Sequence, residues 1–336
     1  MPQDEFVASR RAGIMDVAAR AGVSRQTVTR AMNDMPDISE ETKQRVLAAA
    51  RELHYRPSRF GRGLVTRTSP TMGLVVVDLR NSFWAELASH VLDAASQKGW
   101  RVLIAETAHG GRAGVENLAD QVDPIVGHLE LSDEEIETSF GPIPVVLYER
   151  EWTPASRALV EVDLRDAVAQ LIDHLRSRRR RRLAMLDWSL SERESERAAQ
   201  FRHAVARYDE EPRVLLTHTD ADPDLDVAGN AAEKAMELWP DTDALVCFND
   251  VVAVGVIKRL TALGIGVPER VAVAGIDGLQ LGQVVIPELT TLQLDFDEIA
   301  GYIVDLVDRI ASGKAPLRGA DVRRRVSPAL QVRQST

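Results

Sequence analysis

At about 150 residues per domain, 336 residues imply two or three domains. Apolar residues make up 45% and charged residues 27%, which excludes a mostly disordered chain and leaves ample material for a buried core. The single cysteine, Cys247, excludes an internal disulfide framework and a thiolate zinc cluster. No apolar run approaches the roughly 20 residues needed to cross a bilayer. The opening MPQDEFVASRRAG lacks an apolar secretory core, so a cytoplasmic, non-membrane protein is expected. The net charge of −10 averages two unlike regions: residues 1–69 hold 12 Lys/Arg against 8 Asp/Glu, and the remainder is strongly acidic. Such asymmetry permits a nucleic-acid contact at one end only.

The first predicted element is a short helix at 16–21, with Val17, Ala18 and Ala21 on its apolar face. Gly22-Val23-Ser24 supplies a tight turn ending in a good N-cap. A second helix at 25–33 turns Val28 and Met32 inward and carries Arg25, Gln26, Thr27, Thr29 and Arg30 on its other face. Ser39 opens a third helix, with Glu40 and Glu41 in its positive first turn and Val46, Leu47, Ala50 and Leu53 as its core face.

Two short helices across a glycine turn, closed by a third, match the helix-turn-helix plan, in which the second helix leads into the major groove. Arg suits the O6/N7 edge of guanine and Gln the N6/N7 edge of adenine. A solvated polar face on an ordinary three-helix bundle is the alternative. The coincidence of turn glycine, cap and Arg-Gln lead favours DNA reading. The linker RFGRGLVTRTSP is basic, and its Leu64 is either an unremarkable exposed leucine or a wedge between base steps.

The stretches DVAARAGVSRQTVTRAMN and ISEETKQRVLAAARELHYRPS resemble the DNA-binding headpiece of LacI/GalR-family bacterial transcription regulators. That resemblance implies base reading by Arg25, Gln26 and Arg30 and phosphate contacts by Ser24, Thr27 and Thr29. It also implies minor-groove contacts by Leu64 and Arg62 of a hinge. Two features depart from the family pattern. Gly13 replaces the threonine that opens the first helix, and Gly61-Arg62-Gly63-Leu64 replaces Ala-Arg-Ser-Leu in the hinge.

Beyond the linker, short apolar runs alternate with helical segments. The runs lie at 73–77, 101–105, 124–129 and 145–148, then at 183–186, 214–216, 244–248 and 271–276. Helices are expected at 84–98, 166–177, 194–208, 227–238 and 251–263. The alternation predicts an α/β body of parallel sheets in two similar subdomains, with ligands gathered at strand C-terminal ends in the cleft between them. By resemblance this is a two-lobed periplasmic-binding-protein-like core.

The expected division is a helix-turn-helix domain at 12–57, a hinge at 58–70 and an effector-binding and dimerisation core at 71–336. Its N-subdomain would span about 71–154 and 293–313, and its C-subdomain about 163–278 and 321–336. Segments 155–162 and 278–292 would cross between them, and 106–123 is short for a full helix-strand unit.

The resemblance also assigns effector residues. Phe83 and Trp84 fall where the family places an aromatic against the ligand, although an aromatic at a helix start equally suits core packing. Asp250 matches a carboxylate that accepts ligand hydroxyls, or it caps the following helix. Arg197 matches the arginine of an Arg-x-x-Gly-Phe pattern, with Gln200 in place of glycine; a surface arginine is its other reading. Glu149 ends the fourth strand, where the family often has Asp, and Asp277 after VAVAGI matches a family Asp near the cleft that serves either ligand or structure. Five arginines at 178–182 read as a solvated turn.

No Gly-x-x-x-x-Gly-Lys-Ser/Thr loop, dinucleotide fingerprint or metal-ligand spacing appears, so neither a cofactor nor a catalytic role is expected. The expected function is a homodimeric repressor on a pseudo-palindromic operator in double-stranded DNA, controlled by a small-molecule effector. By the family resemblance, a sugar is the expected effector. The alternatives are a purine-type corepressor and, in another class, a sugar-metabolising enzyme with a fused DNA-binding head.

Overall fold

The computed structural model describes residues 13–32, 35, 38–53, 69–119, 121–141, 143–150, 152–189, 193–218 and 224–336. Leu64 and Arg62 of the expected hinge lie outside the described residues.

The head consists of α1 Ile14–Ala21, α2 Arg25–Met32 and α3 Glu40–Glu52. Their inward faces meet in one small core of Val17, Ala18, Ala21, Val28, Ala31, Val46, Ala49 and Ala50, all buried. The spacing of these residues is the 3.6-residue period that buries one helix stripe. On α2 the 28/31 pair is fully buried and Met32 packs at its edge; on α3 Ala49 joins Val46 and Ala50, with Leu53 alongside.

The body is two six-stranded sheets, each flanked by helices. The N-lobe sheet runs in the order β11-β5-β4-β3-β1-β2, all neighbours parallel. Its strands are β1 Thr71–Val76, β2 Arg101–Glu106, β3 Ile125–Gly127, β4 Val145–Tyr148, β5 Ala158–Val162 and β11 Arg323–Val326. The C-lobe sheet runs β12-β10-β9-β8-β6-β7, where β12 alone is antiparallel to its neighbour. It comprises β6 Leu183–Ser189, β7 Arg213–His218, β8 Ala244–Cys247, β9 Ala272–Asp277, β10 Thr290–Gln293 and β12 Ala329–Gln331.

The intervening helices are α4 Ser82–Gln97, α5 Thr107–Ala119, α6 Asp133–Phe140, α7 Arg165–Ser177, α8 Glu196–Ala206, α9 Leu225–Leu238, α10 Asp250–Ala262, α11 Leu281–Val284 and α12 Phe296–Ala311. Central strands β1, β4, β8 and β9 are buried along their whole length, as expected for parallel strands covered on both faces. Helix α12 buries Ile299, Ile303, Leu306, Val307 and Ile310 in the core of the N-lobe together with α4.

Three expectations are corrected. Segment 155–162 is not simply a crossing, because β5 pairs with β4 and belongs to the N-lobe sheet. Segment 278–292 likewise ends in β10, which pairs with β9 inside the C-lobe. Segment 321–336 divides between the lobes: β11 edges the N-lobe sheet beside β5, and only β12 returns to the C-lobe. Charge disguised β11, whose Arg323 and Arg325 pair with Glu161 of β5. The chain therefore changes lobe at 163–164, 294–295 and 327–328. Segment 106–123 accommodates its helix by starting α5 directly after β2, with a kink at Gly111.

Candidate DNA-reading helix and interlobe site

Gly13 has no side chain to cap α1, but its N–H donates to Asp16 Oδ2 at 2.6 Å, so one exposed donor is still satisfied. Gly22 ends the helix at φ +65°. Arg45 Nε donates to the Ala21 carbonyl at 3.1 Å and ties α3 to the turn. Ser24 Oγ accepts the Thr27 N–H at 3.1 Å and lies 2.9 Å from Thr27 Oγ1. Thr29 Oγ1 donates to the Arg25 carbonyl at 3.1 Å. All three expected phosphate-contact hydroxyls thus take part in local bonds along α2. Arg25, Gln26 and Arg30 are exposed on the side opposite Val28, which is fully buried. The structure brings the three expected base readers to one solvent-facing surface.

In the body, Glu149 and Asp277 stand at the C-terminal ends of β4 and β9, and Phe83, Trp84, Arg197 and Asp250 lie in the first turns of α4, α8 and α10. Arg197, near the start of α8, is 7% exposed. One terminal nitrogen donates to the Phe248 carbonyl at 2.6 Å and sits 3.2 Å from Asp277 Oδ1. The other donates to Glu149 Oε1 at 3.0 Å, and the guanidinium stacks 4.5 Å above the Phe248 ring. Glu149 belongs to the N-lobe and Asp277 to the C-lobe, so this cation bridges them. The reading of Arg197 as a surface arginine is corrected.

Burial opposes the charge of Arg197, but Asp277 and then Glu149 more than restore it, and its pKa is raised. Burial likewise drives the Asp277 carboxyl upward, against the guanidinium beside it.

Phe83 and Trp84 are both 5% exposed. Their rings meet edge-on at 4.9 Å, and Phe83 also packs 5.6 Å from Phe296 and 6.2 Å from Tyr148. Phe83 is therefore a core aromatic, a correction to its expected ligand contact. Trp84 is buried in the same core, edge-on to the Tyr148 ring at 6.2 Å, and it is also tilted 5.7 Å from His128.

Asp250 is 0% exposed. Its Oδ1 accepts the Thr291 hydroxyl at 2.6 Å and its Oδ2 accepts the Leu279 N–H at 2.7 Å. The expected acceptor of ligand hydroxyls is thus corrected to an internal acceptor whose two oxygens serve its own lobe. The cap of α10 comes instead from Asn249, whose Oδ1 accepts the Val252 N–H at 2.9 Å.

No sequence motif marks His128, Tyr148 and Phe248. Each sits at or just beyond the C-terminal end of β3, β4 or β8, and that position was the available signal. Burial works against protonation of His128, yet Glu130 and Glu149 outweigh it and raise its pKa. Burial, then Glu149 and Asp277, hold the Tyr148 phenol protonated.

The arginine run at 178–182 is exposed apart from the half-buried Arg180, and it is anchored. Arg180 donates to the Pro268 and Glu269 carbonyls, and the amides of Arg181 and Arg182 donate to Asp243. It borders a cavity of about 530 Å³ whose four arginines are matched by Glu210, Glu211, Asp241 and Asp243, so it carries no net anion-binding charge.

Cys247 is fully buried, and burial pushes its thiol up, which leaves it inert. Among the described residues no group of three His, Cys, Asp or Glu side chains could hold a metal ion, and no helix is long and apolar enough to cross a membrane.

Comparison with known proteins decides the family. Residues 13–58 match the model of bacterial regulatory proteins of the lacI family, and residues 172–336 match a periplasmic binding protein-like domain. The ribose operon repressor of Halalkalibacterium halodurans is 30% identical over 302 residues, covering 83% of this chain and 84% of that protein. The chain belongs to the LacI family. It is a DNA-binding transcriptional regulator with an effector-binding core.

The HTH-type transcriptional repressor PurR of Vibrio vulnificus is also 30% identical, over 300 residues covering 84% of this chain and 86% of that protein. A LacI-family regulator from Arthrobacter sp. FB24, solved in complex with lactose, superposes with a TM-score of 0.74 at 28% identity, covering 80% of this chain and all of that one. The lac repressor dimer bound to operator shares the fold across 97% of this LacI-family chain and 99% of its own, with a TM-score of 0.70 at 23% identity.

Proposed function

We propose that this regulator is a repressor without catalytic activity, which binds a pseudo-palindromic operator as a homodimer in the cytoplasm. Its operator affinity responds to a small polyhydroxylated molecule, most simply a sugar, held between the lobes. Arg25, Gln26 and Arg30 read base edges, and Ser24, Thr27 and Thr29 meet phosphates. Leu64 and Arg62 act in the minor groove. Trp84, Glu149, Arg197 and Asp277 face the effector.

The observation that carries this reading is Arg197, buried between a carboxylate of each lobe at the ends of the parallel strands. A hydroxylated ligand entering there meets acceptors and donors on both walls, and so has the differential affinity that a two-state response requires. The ribose repressor and the lactose complex among the similar proteins support a carbohydrate. The equal identity to PurR supports a purine corepressor as the second reading.

The test is a thermal-shift panel of D-ribose, lactose, cellobiose, guanine and hypoxanthine, followed by operator binding with each stabilising compound. An inducing sugar lowers operator affinity, and a purine corepressor raises it. Stabilisation that survives Arg197→Lys unchanged places the ligand elsewhere and refutes the assignment.

A further inference from the structure

Asp277 leaves β9 with φ at +121° and Gly278 follows at +80°. A non-glycine residue in this region is strained and persists only where its surroundings impose it. Asp250 and Thr291 impose it. Asp250 takes the Leu279 N–H and the Thr291 hydroxyl, and the same hydroxyl oxygen accepts the Gly278 N–H at 3.2 Å.

The packing leaves this clamp no slack. A Cβ on Gly275 would lie 2.1 Å from Asp250 Oδ1, and one on Gly278 would lie 2.5–2.7 Å from Gln293. Glycine is required at both positions.

The clamped turn delivers Leu279, which is fully buried within the apolar core of the opposite lobe. The next amide, of Gln280, donates to Glu86 Oε1 on α4 at 3.3 Å. A carboxylate of the C-lobe therefore sets a side chain seated in the N-lobe. At its other end the same turn carries the Asp277 carboxylate, 3.2 Å from Arg197 in the candidate effector site.

We propose that Asp250 is a positioning residue that couples the effector site to the relative setting of the lobes through the 277–279 turn. This rests on the reading of the interlobe site as the effector site, since the signal begins at Arg197 and Asp277. A ligand that redirects Arg197 alters the load on Asp277. The clamp makes the turn respond as one body, and Leu279 carries the displacement into the N-lobe.

The full chain permits a test without any ligand. Cys247 is buried, so spin labels at Ser96→Cys and Lys234→Cys, one exposed site per lobe, report the interlobe distance by pulsed electron resonance. Labels at Glu211→Cys and Lys234→Cys give a reference distance inside the C-lobe. Asp250→Asn and Thr291→Val are expected to broaden the interlobe distribution and move it by about 2 Å or more, leaving the reference distance in place. Thr291→Ser, which keeps the hydroxyl, should restore the parent distribution. An interlobe distribution unchanged in both variants overturns the proposal, as does an equal change in the reference distance. If the shift appears while no compound in the panel binds, the clamp stands and the effector reading falls.

Discussion

Asp250 provides a quantitative check on the burial of the lobe junction. Burial pushes its carboxyl up to about 7, with the Thr291 hydroxyl and the Leu279 and Gly278 amides opposing it. The unfolded chain should titrate near the ordinary 3.8. Between these two values the folded protein holds a proton that the unfolded chain has released, so stability falls as pH rises through that window. Raising the carboxyl from 3.8 to about 7 corresponds to about 4 kcal/mol at 1.36 kcal/mol per tenfold change in proton affinity.

Asp250→Asn removes the ionisation with little change in side-chain volume. Whatever fixed offset the amide introduces, the stability of the variant relative to the parent should climb by about 4 kcal/mol between pH 4 and pH 8. Urea unfolding followed by far-ultraviolet circular dichroism at half-unit pH steps measures that difference. A difference flat across the range would mean that the three donors keep the carboxylate ionised throughout, and would refute the burial argument.

Other outcomes follow from the head and the cleft. Gln26→Ala should lose about 1–3 kcal/mol of discrimination at one operator base pair, read by fluorescence anisotropy on single-substituted duplexes; equal weakening on every duplex would make Gln26 a backbone contact. Arg197→Met leaves Asp277 buried without its cation and should cost about 3–5 kcal/mol, part of it recovered by adding Asp277→Asn; the absence of recovery would remove the ion pair as the cause. Replacing Arg179 and Arg181 with Gln should leave operator affinity unchanged, and a clear loss would show that the arginine run touches DNA. Sedimentation should give a dimer on operator DNA, and a monomer at micromolar concentration would overturn the two-headed reading.

The head was the most legible part of the sequence, because its core faces follow one period and its polar face carries residue types with a defined base chemistry. The central strands were also legible as short apolar runs, since strands covered on both faces carry little else. The edges were not. TTLQ of β10, RRRV of β11 and ALQ of β12 have neither the length nor the apolarity of a strand signal, and long-range pairing alone makes them strands.

At the site, Arg197, Glu149 and Asp277 were recognisable by position, and the structure adds that one cation joins them. The direction of Asp250 was not recoverable locally. It is fixed by Thr291 and Leu279, 41 and 29 residues away in sequence. Phe83 was undecidable for the same reason, because its neighbours Tyr148 and Phe296 come from distant elements.

The three places where the chain changes lobe share one dimension. Val162 to Arg165, Gln293 to Phe296 and Val326 to Ala329 each leave two residues between an element of one lobe and an element of the other. Fully extended, the three Cα–Cα steps of each tether reach only about 10 Å. Tethers this short forbid the lobes from sliding apart, so any large relative motion must be a rotation whose axis runs close to all three. The farther a pair of atoms lies from that axis, the larger its displacement, and displacement at the cleft mouth is greatest where the tethers are most distant.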